Sequence, residues 1–275
     1  MRVYTTEQAI SVTQKLNTLA REKVFGKLPI HKEGFKYTSL MVCFGSHIFV
    51  STETLLQLKK HFGEWFPTTV GFIILRTMFE TLIEAHYISK DPKTRADAYI
   101  DYGIVLNHER YKRLEKHKNS GDELQKFWIE SQLKALGDKK VDVSFQKIKA
   151  KFEYADKHGK RKLSRNWAGK TLKEKAIEVD HEIEYDHYYA NFSNFTHASV
   201  KLADRFLKFD ETGPYWSMKA DDNDVGFIFI YASEMFACYL TLMSKQFNLG
   251  MEQEINDCLY AYGKREPMNE HDFSS

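Results

Sequence analysis

Apolar residues recur along most of this chain at intervals of three and four positions, the spacing that places them on one face of an α-helix. Between positions 70 and 88 they surround the predicted helix on almost every side, which is typical of a helix at the centre of a bundle. Gly63 and Pro67 separate two segments, because glycine favours a helix end and proline a helix start. The pattern predicts helices over residues 5–21, 39–62, 68–89, 94–118, 123–136, 143–156, 172–183, 185–207, 225–247 and 252–262.

The composition supports helices rather than sheets. The 275 residues include only 14 glycines and 5 prolines, too few for the many turns of a β-sandwich, propeller or barrel. We therefore expect an all-α protein, folded as a single multi-helix bundle domain over residues 1–275. Residues 119–170 are a candidate helical insertion, a basic excursion of helix and loop from the main bundle.

Neither the cysteines nor the hydropathy indicates export or a membrane. Cys43, Cys238 and Cys258 are odd in number and far apart, so they fit neither a disulfide framework nor a zinc motif. The N-terminal residues lack the apolar core of a signal peptide, and no stretch of about 20 residues is free of charge. We expect a cytoplasmic protein that does not bind a membrane.

Positive charge is concentrated in one part of the chain, although the net charge is only +2. Residues 108–175 contain 20 Lys and Arg against 10 Asp and Glu, and residues 157–175 contain eight cations and one acid. Such a run is most often a solvated surface, but it also suits the binding of nucleic-acid or nucleotide phosphates. The candidate phosphate-binding residues are Lys160, Arg161, Lys162 and Arg165.

Two charged residues interrupt the most apolar predicted helix. Arg76 and Glu80 are four positions apart, so they share a face with apolar neighbours. Burying a charge without a partner costs several kcal/mol. The two residues are therefore either a buried ion pair that ties the bundle together or a substrate-binding arginine oriented by Glu80. Glu84 and His86, further along the same helix, are predicted to be peripheral.

A second polar series lies in the predicted helix 185–207. Tyr185, Tyr189, Ser193 and His197 follow one another at four-residue steps, beside an apolar stripe that includes Phe192. A histidine there could transfer protons near neutral pH, and the hydroxyl groups could donate hydrogen bonds. The alternative is a core histidine whose hydrogen bonds are satisfied by the fold.

Motifs for metals and cofactors are weak or absent. Glu178-x-x-His181 and Glu184-x-x-His187 resemble the Glu-x-x-His motif of di-iron bundles, but both lie in one short stretch rather than on two separate helices. The chain has no Gly-rich phosphate loop and no G-x-S-x-G nucleophile motif. We therefore expect no metal and no cofactor.

The combination of segments resembles a bacterial all-helical family, domain-of-unknown-function family 5677. The resemblance rests on Arg76-x-x-x-Glu80 with Tyr87, on Asn166-Trp167, and on Tyr189-x-x-x-Ser193-x-x-x-His197-x-Ser199. It implies an all-helical fold in which Arg76, Glu80, Tyr189, Ser193 and His197 meet, and it implies no particular reaction.

A looser similarity is to the helical ribonucleases of prokaryotic defence and toxin systems. Their motif is an arginine followed after four to six residues by a histidine, a spacing found here at Arg110–His117 and Arg265–His271. About one such match is expected by chance in this composition, so the spacing adds little. The shared requirement is an arginine for the phosphate and a histidine for the proton, which Arg76 and His197 could supply.

Three functions are open at this point. The expected one is a metal-independent, ribonuclease-like enzyme, a toxin or antiphage effector, that processes phosphodiesters through Arg76, Glu80, Tyr189, Ser193 and His197. The second is a non-enzymatic helical module that binds a nucleotide-like ligand or a protein partner, a second copy of itself included. The third is a di-metal oxygen-chemistry protein. RNA or a nucleotide is the expected partner in the first case.

Overall fold

A computed structural model describes residues 5–25, 35–137, 139–196, 206–211 and 213–261. The chain divides into two compact units, the first formed by Met1–Lys90 with Leu172–Ser275 and the second by Asp91–Thr171. The second unit begins at Asp91, well before position 119, where the basic excursion was expected to start. The expectation of a single domain stays a prediction.

The described residues are mostly helical. The helices are α1 (Thr6–Lys23), α2 (Phe35–Phe62), α3 (Thr68–Ser89), α4 (Pro92–Lys116), α5 (Glu123–Leu136), α6 (Lys139–Ile148), α7 (Leu172–Glu178), α8 (Glu182–Glu184), α9 (Ala190–Thr196), α10 (Asp222–Phe247) and α11 (Glu252–Tyr260). Single 3-10 turns cover Gly63–Trp65 and Lys149–Lys151, and a π-helical turn covers Tyr185–Tyr189. The strands are β1 (Glu153–Ala155), β2 (Arg161–Leu163), β3 (Leu207–Asp210) and β4 (Gly213–Trp216).

Helix α10 is the centre of the first unit, where it packs against α1, α2 and α3. Glycines allow two of these close approaches. A Cβ atom on Gly45 of α2 would lie 2.9 Å from the ring of Tyr239, and one on Gly71 of α3 would lie 2.7 Å from Ile228. Because real Cβ contacts are essentially never this short, a side chain at either position would force its neighbour on α10 to shift.

Polar residues inside this bundle are paired. Thr13 of α1 and Ser233 of α10 share a 2.7 Å hydrogen bond between their hydroxyl groups, and both side chains are buried. The Thr52 hydroxyl of α2 donates to the side-chain oxygen of Asn17 at 2.7 Å. These bonds satisfy buried donors and acceptors that would otherwise destabilise the core.

The second unit has its own small core between α4 and α6, made of Tyr102, Val105, Phe145, Ile148 and Phe152. The predicted helix 143–156 is wrong at its C-terminal end, since β1 occupies Glu153–Ala155 and pairs antiparallel with β2. The Asp156 carboxylate accepts the backbone N–H groups of His158 and Lys160, and Gly159 has a φ of 73°. This turn chemistry favours a hairpin over a continuing helix.

The all-α fold class is confirmed. Within the described residues the sheets are two separate two-stranded hairpins, β1–β2 and β3–β4. The predicted helices 68–89 and 123–136 have the ends that the structure shows for α3 and α5. Predicted helix 185–207 ends sooner, because β3 begins at Leu207.

Two segments, Phe35–Trp65 and Asp222–Phe247, are long and apolar enough to cross a membrane by length and composition. In the second, 61% of the most apolar window is buried inside the protein. A core helix of a globular bundle has the same length and composition, so the two segments are only a weak indication of a membrane span.

Candidate functional site

The middle of α3 carries the predicted ion pair. Arg76 and Glu80 lie one helical turn apart, and Nε of Arg76 donates to Oε1 of Glu80 at 2.9 Å. The side chains are 22% and 39% exposed, so the pair lies at an edge of the bundle and not in its interior. Because both side chains are partly exposed, their charges are accessible to a ligand. Ion pairs near solvent contribute little to stability.

Tyr189 completes this cluster from a distant part of the sequence. Its hydroxyl group donates to Oε1 of Glu80 at 2.8 Å and accepts from Nη2 of Arg76 at 3.2 Å. The guanidinium carbon lies 5.3 Å from the centre of the Tyr189 ring, within range of a cation–π interaction. The predicted contact between Arg76, Glu80 and the polar series on the later helix is therefore confirmed for Tyr189.

The local backbone at Tyr189 differs from the prediction. An uninterrupted α-helix was expected over residues 185–207, but Tyr185–Tyr189 form a π-helical turn between α8 and α9. The two tyrosines at its ends stack with their ring centres 5.0 Å apart, and Phe79 of α3 packs against Tyr189 at 5.8 Å. A π turn widens the helix locally and occurs often at functional sites.

The electrostatics keep Arg76 and Tyr189 in defined protonation states. Burial lowers the pKa of Arg76, but its hydrogen bonds with Glu80 and Tyr189 outweigh this effect and raise it. Burial, and then the hydrogen bond to Glu80, raises the pKa of the Tyr189 hydroxyl above its usual range. Arg76 therefore stays cationic and Tyr189 stays a hydrogen-bond donor at physiological pH. Such a cluster can bind an anion and hold it in one orientation.

The remaining predicted residues of the series have different outcomes. Ser193 is half-buried on α9, and His197 lies outside the described residues. The apolar stripe beside them is confirmed: Phe192 is buried, and Phe195 stacks on Phe72 of α3 with ring centres 4.4 Å apart. Arg76, Glu80 and Tyr189 are thus brought together, while His197 stays a sequence-based candidate.

The prediction that Glu84 is peripheral is wrong. Its Oε1 lies 2.5 Å from Nζ of Lys175 on α7, and the Lys175 side chain is only 4% exposed. Lys175 was also expected to belong to a solvated basic run. A buried lysine needs an acidic partner, and the closest turn of α3 supplies one.

The prediction that His86 is peripheral is also wrong. Potential metal-ligating atoms of His86 on α3, His181 after α7 and Cys238 on α10 all lie within 4.8 Å of one another. Sγ of Cys238 is 3.7 Å from Nε2 of His86, and the two imidazole rings are 5.0 Å apart. We call these three residues the Cys-His cluster.

Within the Cys-His cluster, the effect of neighbouring groups on the pKa values is larger than the effect of burial. Burial raises the pKa of the Cys238 thiol, but the two neighbouring imidazoles lower it to about 6. Burial lowers the pKa of His181, but contacts with Cys238 and Glu184 raise it to about 10. The sequence signals were that His86 and Cys238 stand on largely apolar helices and that His181 belongs to the weak Glu178-x-x-His181 motif. Since His86 and Cys238 are 152 positions apart, spacing did not connect them.

The predicted phosphate-binding residues lie in the second unit, on and beside the β1–β2 hairpin, and all four are exposed. Arg161 pairs with Glu153 at 3.6 Å and Lys162 with Asp156 at 2.8 Å, so nearby acids partly neutralise these two. Lys160 and Arg165 form no ion pair with a described residue. Arg165 lines a cleft of about 550 Å³ together with Asn166 and Trp167.

Comparison with known proteins gives a family but no relative of known activity. The sequence profile of DUF5677, a family of unknown function, matches residues 39–214. No curated protein and no solved structure matches the chain significantly.

Proposed function

This chain belongs to the DUF5677 family of unknown function, and from the geometry of its Arg76–Glu80–Tyr189 cluster we propose that it is a metal-independent, ribonuclease-like enzyme that cleaves single-stranded RNA. The observation that supports this proposal most is the convergence of an arginine, a carboxylate and a tyrosine at a partly open edge of an otherwise apolar helix. The biological setting that we propose is a toxin or antiphage effector in the cytoplasm.

Each residue of the cluster has a separate role in this proposal. Arg76 binds the scissile phosphate and stabilises the negative charge that grows on it in the transition state. Glu80 and Tyr189 orient the guanidinium through the hydrogen bonds described above. Ser193, half-buried on α9, is a candidate donor to a phosphate oxygen.

On sequence grounds, His197 is the proposed general acid or base. A base removes the proton of the ribose 2′-hydroxyl, whose oxygen attacks phosphorus, and the bond to the 5′-oxygen breaks as an acid protonates that oxygen. The products are a 2′,3′-cyclic phosphate and a free 5′-hydroxyl group. Because RNA supplies its own nucleophile, the reaction balances without a metal ion or an activated water.

A substitution of Glu80 distinguishes the proposed phosphate-binding role of Arg76 from a purely structural role of the ion pair. It neutralises part of the charge on Arg76, so a phosphate must compete with it. Replacing Glu80 with Gln should tighten phosphate binding while it slows turnover, because the guanidinium is then more available but less well oriented. A structural pair predicts no change in RNA binding.

The direct test is incubation of purified protein with mixed RNA in the presence of EDTA. We expect cleavage that falls about 10²–10³-fold in Arg76→Gln and about 10²–10⁴-fold in His197→Ala. Arg21→Ala, which removes another ion-paired arginine, and His187→Ala, which removes an exposed histidine, are the matched controls and should retain activity. Intact RNA at micromolar wild-type enzyme, both with and without EDTA, would overturn the proposal.

The salt dependence of RNA binding gives a second, independent test, which concerns the basic β1–β2 hairpin. We propose that it binds the RNA backbone, chiefly through Lys160 and Arg165. Each lost phosphate contact should reduce the slope of log affinity against log salt by about 0.7. A double substitution of Lys160 and Arg165 should flatten this slope more than a double substitution of Arg161 and Lys162, which already face acids. Equal effects would argue against backbone binding by the hairpin.

A non-enzymatic module that binds a nucleotide-like ligand is the second candidate. The observation in its favour is that Arg76 is already engaged by Glu80 and Tyr189 beside stacked aromatic rings, an arrangement suited to recognition without turnover. RNA that binds, stays intact and dissociates more readily from Arg76→Gln would select this candidate.

A further inference from the structure

We propose that the Cys-His cluster binds one Zn²⁺ ion through the side chains of His86, His181 and Cys238. Mixed nitrogen and sulfur ligands in a tetrahedral arrangement are the ordinary donor set of zinc in proteins. Three protein ligands leave the fourth position for water or another small ligand. This site does not depend on the proposed RNA cleavage, and its test uses no RNA.

The distances within the cluster fit a single ion. A cysteine sulfur and a histidine nitrogen on one tetrahedral zinc ion are about 3.6 Å apart, given bonds of about 2.3 Å and about 2.1 Å. The separation between Sγ of Cys238 and Nε2 of His86 is 3.7 Å. The imidazole planes of His86 and His181 cross at 73°, so the rings do not stack against each other. Small side-chain rotations would bring all three ligand atoms onto one ion.

The backbone holds the three ligands on fixed elements. His86 lies in the last turn of α3, and Cys238 lies in the middle of α10, which packs against α3. His181 follows α7, where its N–H bonds to the carbonyl of Ala176 at 2.8 Å and the N–H of Asp180 bonds to that of Ile177 at 3.3 Å. These two bonds form a Schellman motif, and such motifs end many helices rigidly.

Asp180 at this motif has a φ of 62°, in the left-handed region that usually requires glycine. A non-glycine residue in this region is strained, and the surrounding structure must offset that strain. Backbone strain of this kind is concentrated at functional sites. Here its effect is to direct the next residue, His181, towards α3 and α10.

A carboxylate lies near the Nδ1 ring nitrogen of His181. Nδ1 of His181 is buried without a hydrogen bond, and Oε1 of Glu184 lies 3.6 Å from it. Metal-bound histidines almost always donate their second ring N–H to such a carboxylate, which orients the ring. Glu184 is therefore the expected orienting residue, and a small movement would complete the bond.

The proposed ion would connect three segments of the first unit. His86 follows Glu80 by six residues, about 9 Å along the axis of α3. A zinc ion at His86 would crosslink α3 to α10 and to the turn after α7. It would thereby hold in place the helix that presents Arg76 and Glu80, without taking part in phosphate chemistry.

The test uses the full-length protein, purified without chelators and analysed for bound metals by mass spectrometry. We expect about one zinc per chain. Protein stripped of metal and reloaded with Co²⁺ should show a thiolate-to-cobalt charge-transfer band and the visible spectrum of a tetrahedral ion. Both signals should be lost in Cys238→Ser, and zinc affinity should fall about 10–100-fold in Glu184→Gln, which removes only the orienting carboxylate.

Two controls separate loss of a ligand from loss of the fold. Cys43→Ser removes an exposed cysteine and Cys258→Ser a half-buried one, and both should keep the metal and the band. His86→Gln should lose zinc while it keeps the helical circular dichroism of the wild type. A cobalt band that persists in Cys238→Ser, or wild-type protein that takes up no zinc, would overturn the proposal. Stoichiometric copper instead of zinc would overturn the choice of ion.

Discussion

Helix α3 carries two groups of polar residues, and they differ in how they are enclosed. Arg76 and Glu80, in the middle of the helix, keep about a fifth and two fifths of their side chains exposed while they bind Tyr189. Glu84, one turn further on, is paired with a lysine that is 4% exposed. His86 follows it and faces a histidine and a cysteine.

The difference indicates which of these groups serves stability and which is available for function. An ion pair near solvent contributes about 0–1 kcal/mol, because water and salt screen it. Removing one partner of a buried pair costs much more, because the other charge remains in a medium that does not solvate it. Similar side chains on one helix are thus expected to behave differently, and the first three of the four measurements below test this.

The largest expected effect is on the free energy of unfolding when the carboxylates of α3 are neutralised one at a time. Glu84→Gln leaves Lys175 buried without its acidic partner and should lose about 3–5 kcal/mol. Glu80→Gln is the matched substitution one turn away and should lose about 1 kcal/mol or less. Urea denaturation followed by circular dichroism measures both, and equal losses would contradict the comparison.

The next effect concerns metal. If the Cys-His cluster binds zinc, free metal at about a hundredfold above its dissociation constant should add about 2.7 kcal/mol to the stability of the folded protein. Chelation should remove this increment from the wild type and should not change Cys238→Ser. Thermal unfolding with and without chelator distinguishes the two proteins. Identical shifts in both would argue against a site at Cys238.

A smaller effect is expected at Tyr189. Tyr189→Phe removes the hydrogen bonds with Glu80 and Arg76 but keeps the ring, and it should cost about 0.5–1.5 kcal/mol. In a double-mutant cycle with Arg76→Gln, residues in direct contact should show a coupling energy of about 0.5 kcal/mol or more. Tyr185→Phe, on the adjacent ring of the π turn, is the control. A coupling energy near zero would mean that the contact does not persist in solution.

The smallest effect is a pKa shift on the basic hairpin of the second unit. Contacts with Lys162, and then with the backbone N–H groups of His158 and Lys160, lower the pKa of Asp156. A carboxyl group with a lowered pKa in the folded state stabilises the fold above its unfolded pKa. That contribution is lost as the pH falls through the folded value. NMR titration should show this pKa rise in Lys162→Gln, and an unchanged value would mean that the ion pair is not formed in solution.

Most of the fold could be predicted because helices depend on neighbouring residues. The spacing of apolar residues over 68–89 and 123–136 determined the ends of α3 and α5, since each pattern is completed within a few turns. The pairing of Arg76 with Glu80 is of the same kind, because four residues span one turn. The expected contact with Tyr189 followed from the need of buried polar groups for partners, together with the resemblance to a helical family.

The sequence by itself thus determined the all-α class, the ion pair on α3 and the contact of that pair with Tyr189. Only the tertiary structure decided which polar groups are buried, because that depends on elements far apart in the sequence. Lys175, which pairs with Glu84, lies 91 positions after it in the sequence, and Cys238, which meets His86, lies 152 positions after it. The π turn at Tyr185–Tyr189 was also not predicted from the sequence. No local spacing encodes such meetings, since they arise when α7 and α10 each pack against α3 and exclude water.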